Sequence, residues 1–315
     1  MITLKQKIAD CKNENERLIL VANLYNADLS NSDLSNANLR NANLRNANLY
    51  NADLSNANLR DTNLRDANLY NADLNNANLR DTNLRDADLS NTNLRKANLR
   101  NANLYNASLR DANLYNANLY NADLCDANLR HTNLYDASLR DANLSNANLR
   151  DASLRNASLR HTNLYNADLR DASLYNASLR HANLYNADLR DASLYNADLY
   201  DASLCNANLR NANLYNADLC DANLRNANLY DASLRNVGLC LCGHWTIQIH
   251  SEKTLSIGCK RKSIAEWNKF FKSKEIIETK RGTSEFKEIE LNFEYAKMFI
   301  KKYKGQFEEQ EQKSK

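Results

Sequence analysis

The sequence predicts an all-β fold, a four-sided parallel β-helix of about eleven coils with small elements at its two ends. Three observations carry that reading. Leu recurs at every fifth residue from Leu24 to Leu239, 44 times without a gap. A small residue stands two places before each Leu, and it is Ala in 37 of the 44 units. The residues that follow the Leu change character with a period of ten, which suits a coil of twenty residues.

Residues 1–20 are expected to form an N-terminal cap. The end of a solenoid exposes core and unpaired backbone and needs cover. Residues 3–12 have the spacing of a short helix, with Thr3 as its cap and Leu4, Ile8 and Cys11 on one face. Leu18 to Leu20 lead into the first coil, with Ile19 in the slot of a repeat Leu.

Residues 21–240 are the repeat. The units read x-Ala-(Asn/Asp/Ser)-Leu-y, with Gly238 at the third place of the last, and the exceptions to Ala are Ser32, Thr62, Thr82, Thr92, Thr132, Thr162 and Val237, all small. Residues two apart on an extended chain point to one side, so Ala and Leu face inward together. The next Ala comes three residues after the Leu, so two successive polar residues turn outward and make a corner. A helix is excluded: a period of five spreads Leu around a 3.6-residue turn, and Asn, Asp and Ser at every third place compete with helical backbone bonding. At about 1.5–3 kcal/mol for each buried Leu, the core is the main stabilising contribution, opposed by a comparable ordering entropy.

The outward residues give the number of sides. Arg110, Arg130, Arg150, Arg170, Arg190 and Arg210 stand twenty residues apart in unbroken succession. A second set holds Arg40, Arg60, Arg80, Arg100, Arg140, Arg160 and Arg180. Those two columns hold 13 Arg in 22 places, against seven in 22 for the other two, an alternation that fits four sides and not three, although a ten-residue gene duplication would leave the same record.

Residues 241–305 are expected to form a hairpin and two helices that cap the rod or dock a partner. HWTIQIH (244–250) and TLSIGC (254–259) alternate like strands around a turn at 251–253. Ser263 and Glu266 have the form of a capping box, opening a helix with Ile264, Trp267, Phe270, Phe271 and Ile277. Phe286, Ile289, Phe293, Ala296, Phe299, Ile300 and Tyr303 mark a second helix, with Gly305 as its stop. Residues 306–315 are polar and are expected to be a disordered tail.

The charge balance is not that of a dedicated nucleic-acid binder. The net charge is +3, the repeat region carries 21 basic and 24 acidic side chains, and residues 241–315 carry 16 and 11. The N-terminus has no apolar core of a secretory signal, no stretch reaches the roughly 18 apolar residues of a membrane span, and seven Cys without framework spacing suit a reducing cytoplasm. The chain is therefore expected to be cytoplasmic. No phosphate-binding glycine loop, metalloprotease helix motif or nucleophile elbow is present, so neither enzyme activity nor a cofactor is expected.

The repeat resembles the pentapeptide-repeat family, whose usual unit is A(D/N)LXX, over 220 of the 315 residues. The resemblance implies a right-handed, four-sided β-helix. The segment after Cys240 also resembles a C-terminal module found behind pentapeptide repeats in bacterial and phage proteins, through Trp245, Ile247, Ile257, Gly258, Cys259, Glu266 and Trp267 and the aromatic second helix. That likeness implies a cap or docking module and no chemistry, and the family leaves a homodimer through a terminal coil open.

Two columns are the candidate partner surface. One is Arg110, Arg130, Arg150, Arg170, Arg190 and Arg210, whose forks could track anions, although Asp111, Asp151, Asp171 and Asp191 beside them can neutralise adjacent rungs. The other is Tyr115, Tyr135, Tyr175, Tyr195 and Tyr215, interrupted by Arg155, whose rings can stack on one another or anchor a partner. Cys220 and Cys240 share a column one coil apart and are expected as free thiols. Cys240, Cys242, His244, His250 and Cys259 lie near the expected hairpin, but the Cys-x-Cys-x-His spacing departs from zinc patterns and no metal is expected.

The function that follows is a non-enzymatic scaffold or binding protein whose partner is expected to be a protein. The alternative comes from the family's quinolone-resistance members, which resemble duplex DNA and bind a type II topoisomerase. Twenty Arg within the repeats speak against such mimicry here. Direct nucleic-acid binding is the third and weakest reading.

Overall fold

In a repeat with Asn or Asp at the third place, five backbone amides have five different destinations, and these define the coil. The computed structural model describes residues 23–240, 247–258, 260–273 and 282–307. In the unit from Asn166 to Arg170, the Asn166 N–H donates to the Tyr185 carbonyl at 3.1 Å and the Leu169 N–H to the Asp188 carbonyl at 2.7 Å, both on the next coil. The Asp168 N–H reaches back to the Ala147 carbonyl at 3.0 Å. The Ala167 N–H closes a turn onto the Leu164 carbonyl at 3.1 Å, and the Arg170 N–H donates to the Asp168 side chain at 3.2 Å. Such a repeat satisfies all five of its backbone donors.

Every bridge joins residues twenty apart in parallel, from Asn23↔Asn43 to Asp218↔Gly238, with four per coil. The sides are one bridge long because every corner is a tight turn. Each residue at the x place from Asn26 to Asn236 has φ between 52 and 60°. With the Ala amide bonded to the Leu carbonyl three residues earlier, this is the pattern of a type II turn. The left-handed conformation explains the Asn and Asp at x, because their short polar side chains tolerate it best after Gly. Only His131, His161, His181 and Lys96 depart from Asn or Asp there.

The Leu and Ala columns fill the interior, and Leu29 to Leu214 are almost all wholly buried. The Thr exceptions remain buried because their hydroxyls find carbonyls: Thr62, Thr82, Thr132 and Thr162 donate to Leu39, Leu59, Leu109 and Leu139 of the preceding coil at 2.8–3.0 Å. Thr92 bonds the Leu89 carbonyl within its own turn at 2.6 Å.

At the C-terminal end the parallel ladder becomes antiparallel. Strand β1 (Val237–Leu239) bridges back to Asp218 through Gly238 and pairs antiparallel with β2 (Ile247–Ile249). Strands β2 and β3 (Thr254–Ile257) form the expected hairpin, and β3 pairs with β4 (Lys260–Ser263), a charged strand the sequence pattern does not announce. Helix α1 (Ile264–Lys272) starts at the capping box of Ser263 and Glu266, and Trp267 donates its indole N–H to the Leu255 carbonyl at 3.1 Å. Helix α2 (Ser284–Lys302) buries Phe286, Ile289, Phe293, Ala296, Phe299 and Ile300 in the same continuous core as the repeat Leu.

One expectation requires correction. Gln306 and Phe307 do not belong to a disordered tail: the Gln306 carbonyl accepts the Leu234 N–H at 2.7 Å, and Phe307 is wholly buried in the core. The open end of the coil supplies both an unpaired amide and an apolar floor, and these recruit an aromatic residue from a polar stretch. The expected N-terminal cap (1–20), Ile277 and residues 308–315 lie outside the described residues.

Candidate functional site

The corners place the y and x side chains in columns along the rod. Backbone bonds run from Asp111 to Arg130, from Asp151 to Arg170, from Asp171 to Arg190 and from Asp191 to Arg210, so the arginines from Arg110 to Arg210 lie one rung apart. Most meet carboxylates. Arg110 pairs with Asp111 at 3.1 Å, Arg130 with Asp151 at 3.8 Å, and Arg150 with Asp151 and Asp171 at 3.5 and 3.7 Å. Arg170 grips Asp168 with two nitrogens, the Nε contact at 2.8 Å, and Arg190 does the same to Asp188 with an Nη contact at 2.6 Å. Burial opposes ionisation of Asp168, but the hydrogen bonds and charge of Arg170 hold its carboxyl below the usual range. Arg210 instead lies over the Tyr230 ring at 5.7 Å.

The second column is a stack. Tyr115 and Tyr135 are 5.6 Å apart and nearly parallel, as are Tyr175 and Tyr195 at 5.1 Å and Tyr195 and Tyr215 at 5.0 Å. Arg95 covers Tyr115 at 5.2 Å, Arg155 covers Tyr175 at 5.1 Å, and Arg235 lies over Tyr215 at 5.8 Å. Beside this stack runs an amide ladder that sequence reasoning missed. Asn156, Asn176, Asn196 and Asn216 each donate to the preceding rung, beginning at Asp136, at 2.8–3.3 Å. Gln248 of β2 donates to Asn216 at 3.0 Å and extends the ladder into the antiparallel sheet. Counting the x places in steps of twenty would have revealed the ladder, but not its last rung.

Cys220 and Cys240 are buried and form no disulfide, and the Asp221 N–H donates to the Cys240 carbonyl at 2.9 Å, which places them one rung apart. A hydrogen bond with Cys240, burial and the nearby Asp218 push the Cys220 thiol above its ordinary range. Of the residues weighed for metal, Cys242, His244 and Cys259 lie outside the described residues. His250 bonds Asn236 and Ser256, each at 2.7 Å. Among the described residues no cluster of three or more His, Cys, Asp or Glu could hold a metal ion, and no helix is long and apolar enough to cross a membrane. His161 and His181, also unforeseen, stack at 4.8 Å, and His181 meets Asp201 at 2.9 Å.

Comparison with known proteins agrees with the repeat geometry. The family model for pentapeptide repeats matches in overlapping copies from residues 22–61 to residues 202–237. The chain belongs to the pentapeptide-repeat family. Its ladder is accordingly that family's right-handed quadrilateral β-helix. Among solved structures, HetL, a pentapeptide repeat protein involved in heterocyst differentiation regulation from the cyanobacterium Nostoc sp. strain PCC 7120, is 38% identical, with 68% of this chain and 88% of that one covered and a TM-score of 0.41. Trypsin-treated QnrB1, a plasmid-mediated fluoroquinolone resistance protein, is 20% identical over 61% of this chain and 90% of that one, with a TM-score of 0.32. A pentapeptide repeat protein of the Arabidopsis thaliana thylakoid lumen is 31% identical over 36% of this chain and 73% of that one, with a TM-score of 0.19. No curated protein matches the chain.

Proposed function

We propose that this pentapeptide-repeat protein is a non-enzymatic binding protein that holds a partner protein against the ordered side-chain columns of a rigid rod. With about eleven coils at ~4.8 Å each, the rod would be roughly 50 Å long. The observation that carries the reading is one column with two stacks, the first of Arg95, Tyr115 and Tyr135, the second of Arg155, Tyr175, Tyr195, Tyr215 and Arg235. Side chains already ordered in the free protein lose little freedom on binding, and Tyr and Arg, here half-buried to exposed, are enriched among residues that anchor partners. Residues 241–305 would then close the rod or add a second docking element.

The experiment uses the full chain as bait in an extract of its cells of origin. It is compared with a variant in which Arg130, Arg150 and Arg170 become Ser, and with another in which Tyr175 and Tyr195 become Ser. The reading expects a protein retained by the parent and lost by at least one variant. Recovery of the same proteins by all three baits, or of none by the parent, contradicts it. The topoisomerase-directed reading needs a nearly continuous acidic surface, whereas Asp111, Asp151 and Asp171 along the Arg column are drawn into ion pairs. Inhibition or protection of gyrase supercoiling by micromolar protein would replace the first reading with that one.

A further inference from the structure

One face of the rod carries cations that the Asp columns do not neutralise. Its successive rungs are Arg95, Lys96, Asn98 and Arg100; then Tyr115, Asn116, Asn118 and Tyr120; then Tyr135, Asp136, Ser138 and Arg140; then Arg155, Asn156, Ser158 and Arg160. The bridges Asn98↔Asn118, Asn118↔Ser138 and Ser138↔Ser158 hold these rungs in register. Elsewhere most Arg find Asp on their own or a neighbouring rung, as Arg65 and Arg85 do with Asp66 and Asp86, whereas Arg210 lies over Tyr230. Among the described residues, Arg95, Lys96, Arg100, Arg155 and Arg160 form no such ion pair, and all five are exposed.

Three of these guanidinium groups are held in place without being neutralised. Arg95 lies over Tyr115 at 5.2 Å, Arg100 over Tyr120 at 4.8 Å and Arg155 over Tyr175 at 5.1 Å, which leaves their N–H edges for an incoming anion. Lys96 adds an independent sign. It sits at φ 57°, where every other x residue is Asn, Asp or His, so a long side chain occupies a strained position on this face.

We infer that this face docks an extended acidic segment of a partner protein, with carboxylates four residues apart. The two cationic rungs are three coil spacings apart, ~14 Å at ~4.8 Å each. An extended peptide rises about 3.3 Å per residue, so its residues i and i+4 point the same way roughly 13 Å apart. One carboxylate would meet Arg95, Lys96 and Arg100, and the other Arg155 and Arg160. Asp136 stands between the two rungs and would repel an unbroken acidic run. Single-stranded nucleic acid fits less well, because the faces of Tyr115 and Tyr120 that a base would stack on are covered by Tyr135 or by Arg.

The inference rests on the binding-protein reading and specifies its partner. The test measures fluorescence anisotropy of labelled probes with the full chain. The probes are two peptides of equal charge, one with Glu four residues apart and one with contiguous Glu, and an oligothymidylate. The spaced peptide should bind most tightly. Arg155→Ser with Arg160→Ser should weaken it about tenfold, as loss of two charge-assisted contacts would. Ser already occupies outward places at Ser55, Ser90 and Ser145, so the variant should fold. Arg65→Ser with Arg85→Ser should leave binding unchanged. Lys96→Asn should raise Tm while weakening the peptide, a split that a purely structural role would not give. Equal affinity for the two peptides, preference for the oligothymidylate, no binding, or an equal loss in the control variant overturns the inference. The binding-protein reading would survive that outcome if the Tyr175 and Tyr195 variant still lost its partner in the capture experiment.

Discussion

The Gln306 carbonyl accepts the Leu234 amide proton at 2.7 Å, in the place where a further coil would supply its own carbonyl. In the regular coils that position belongs to the residue nineteen places on, as Ser233 serves Leu214 at 2.9 Å. The end of the ladder is thus closed by chain from beyond α2, and Phe307 covers the core beside it. Phe307→Ala should destabilise the protein by ~3–5 kcal/mol, the scale for deleting a buried aromatic. Solenoids fray from their ends, so amide exchange at Leu234 should accelerate before exchange at Leu149 does. Equal acceleration at both sites would contradict the closing role.

Within the rod each coil contacts only its neighbours. Leu149 is wholly buried. Leu149→Ala should cost ~2–5 kcal/mol, and the loss should concentrate in adjacent coils. Amide exchange should therefore quicken at Leu129 and Leu169 and remain slow at Leu49. A uniform increase along the rod would show that coils open together.

The corner conformation allows a third test at Asn196. Its φ is 57°, it donates to Asn176 at 3.1 Å, and it accepts from Asn216 at 2.8 Å. Asn196→Ala should lose about 1–2 kcal/mol from the left-handed backbone alone, with the amide ladder lost in addition. Asn196→Gly loses the ladder but keeps the backbone freedom, so its denaturant midpoint should fall between those of the parent and the Ala variant. The reverse order would mean that the side-chain ladder is not what Asn contributes here.

The coil was legible because Leu24 to Leu239 and their Ala partners record its period directly. Its four sides were legible because charge alternates between corners. The turn was read only as two outward polar residues; that Asn26 and its equivalents must be left-handed is a backbone requirement no hydrophobic pattern shows. Strand β1 looks much like one more repeat, since Val237 and Leu239 fill the usual slots, and Gly238 at the third place and the antiparallel partner Ile247–Ile249 distinguish it. Phe307 is a lone aromatic among polar residues, and a long-range vacancy decides its burial. On the surface, columns were legible from spacing alone. Which Arg is neutralised also depends on third-place residues such as Asp168 and Asp188, which lie on a side rather than at a corner.

The antiparallel sheet should respond to acid through His250. Burial disfavours its charged form, and Arg261 and Arg235 add repulsion, so its pKa lies below the ordinary value in the folded protein. The neutral ring bonds both Asn236 and Ser256, joining the last repeat corner to β3. Because the folded pKa is depressed, the unfolded chain takes up the proton first. The contribution is fully present above the unfolded value of about 6.5 and is lost as pH falls through the folded value. Amide exchange in β2 and β3 should therefore quicken as pH drops below about 6.5, after correction for the intrinsic rate. Asp168 and Asp126, whose carboxyls are held low, should add a separate loss only as pH falls below about 3.9. His250→Gln can still bond both neighbours but does not titrate, so it should remove the first transition and leave the second. Persistence of the first transition in that variant would assign it to another group.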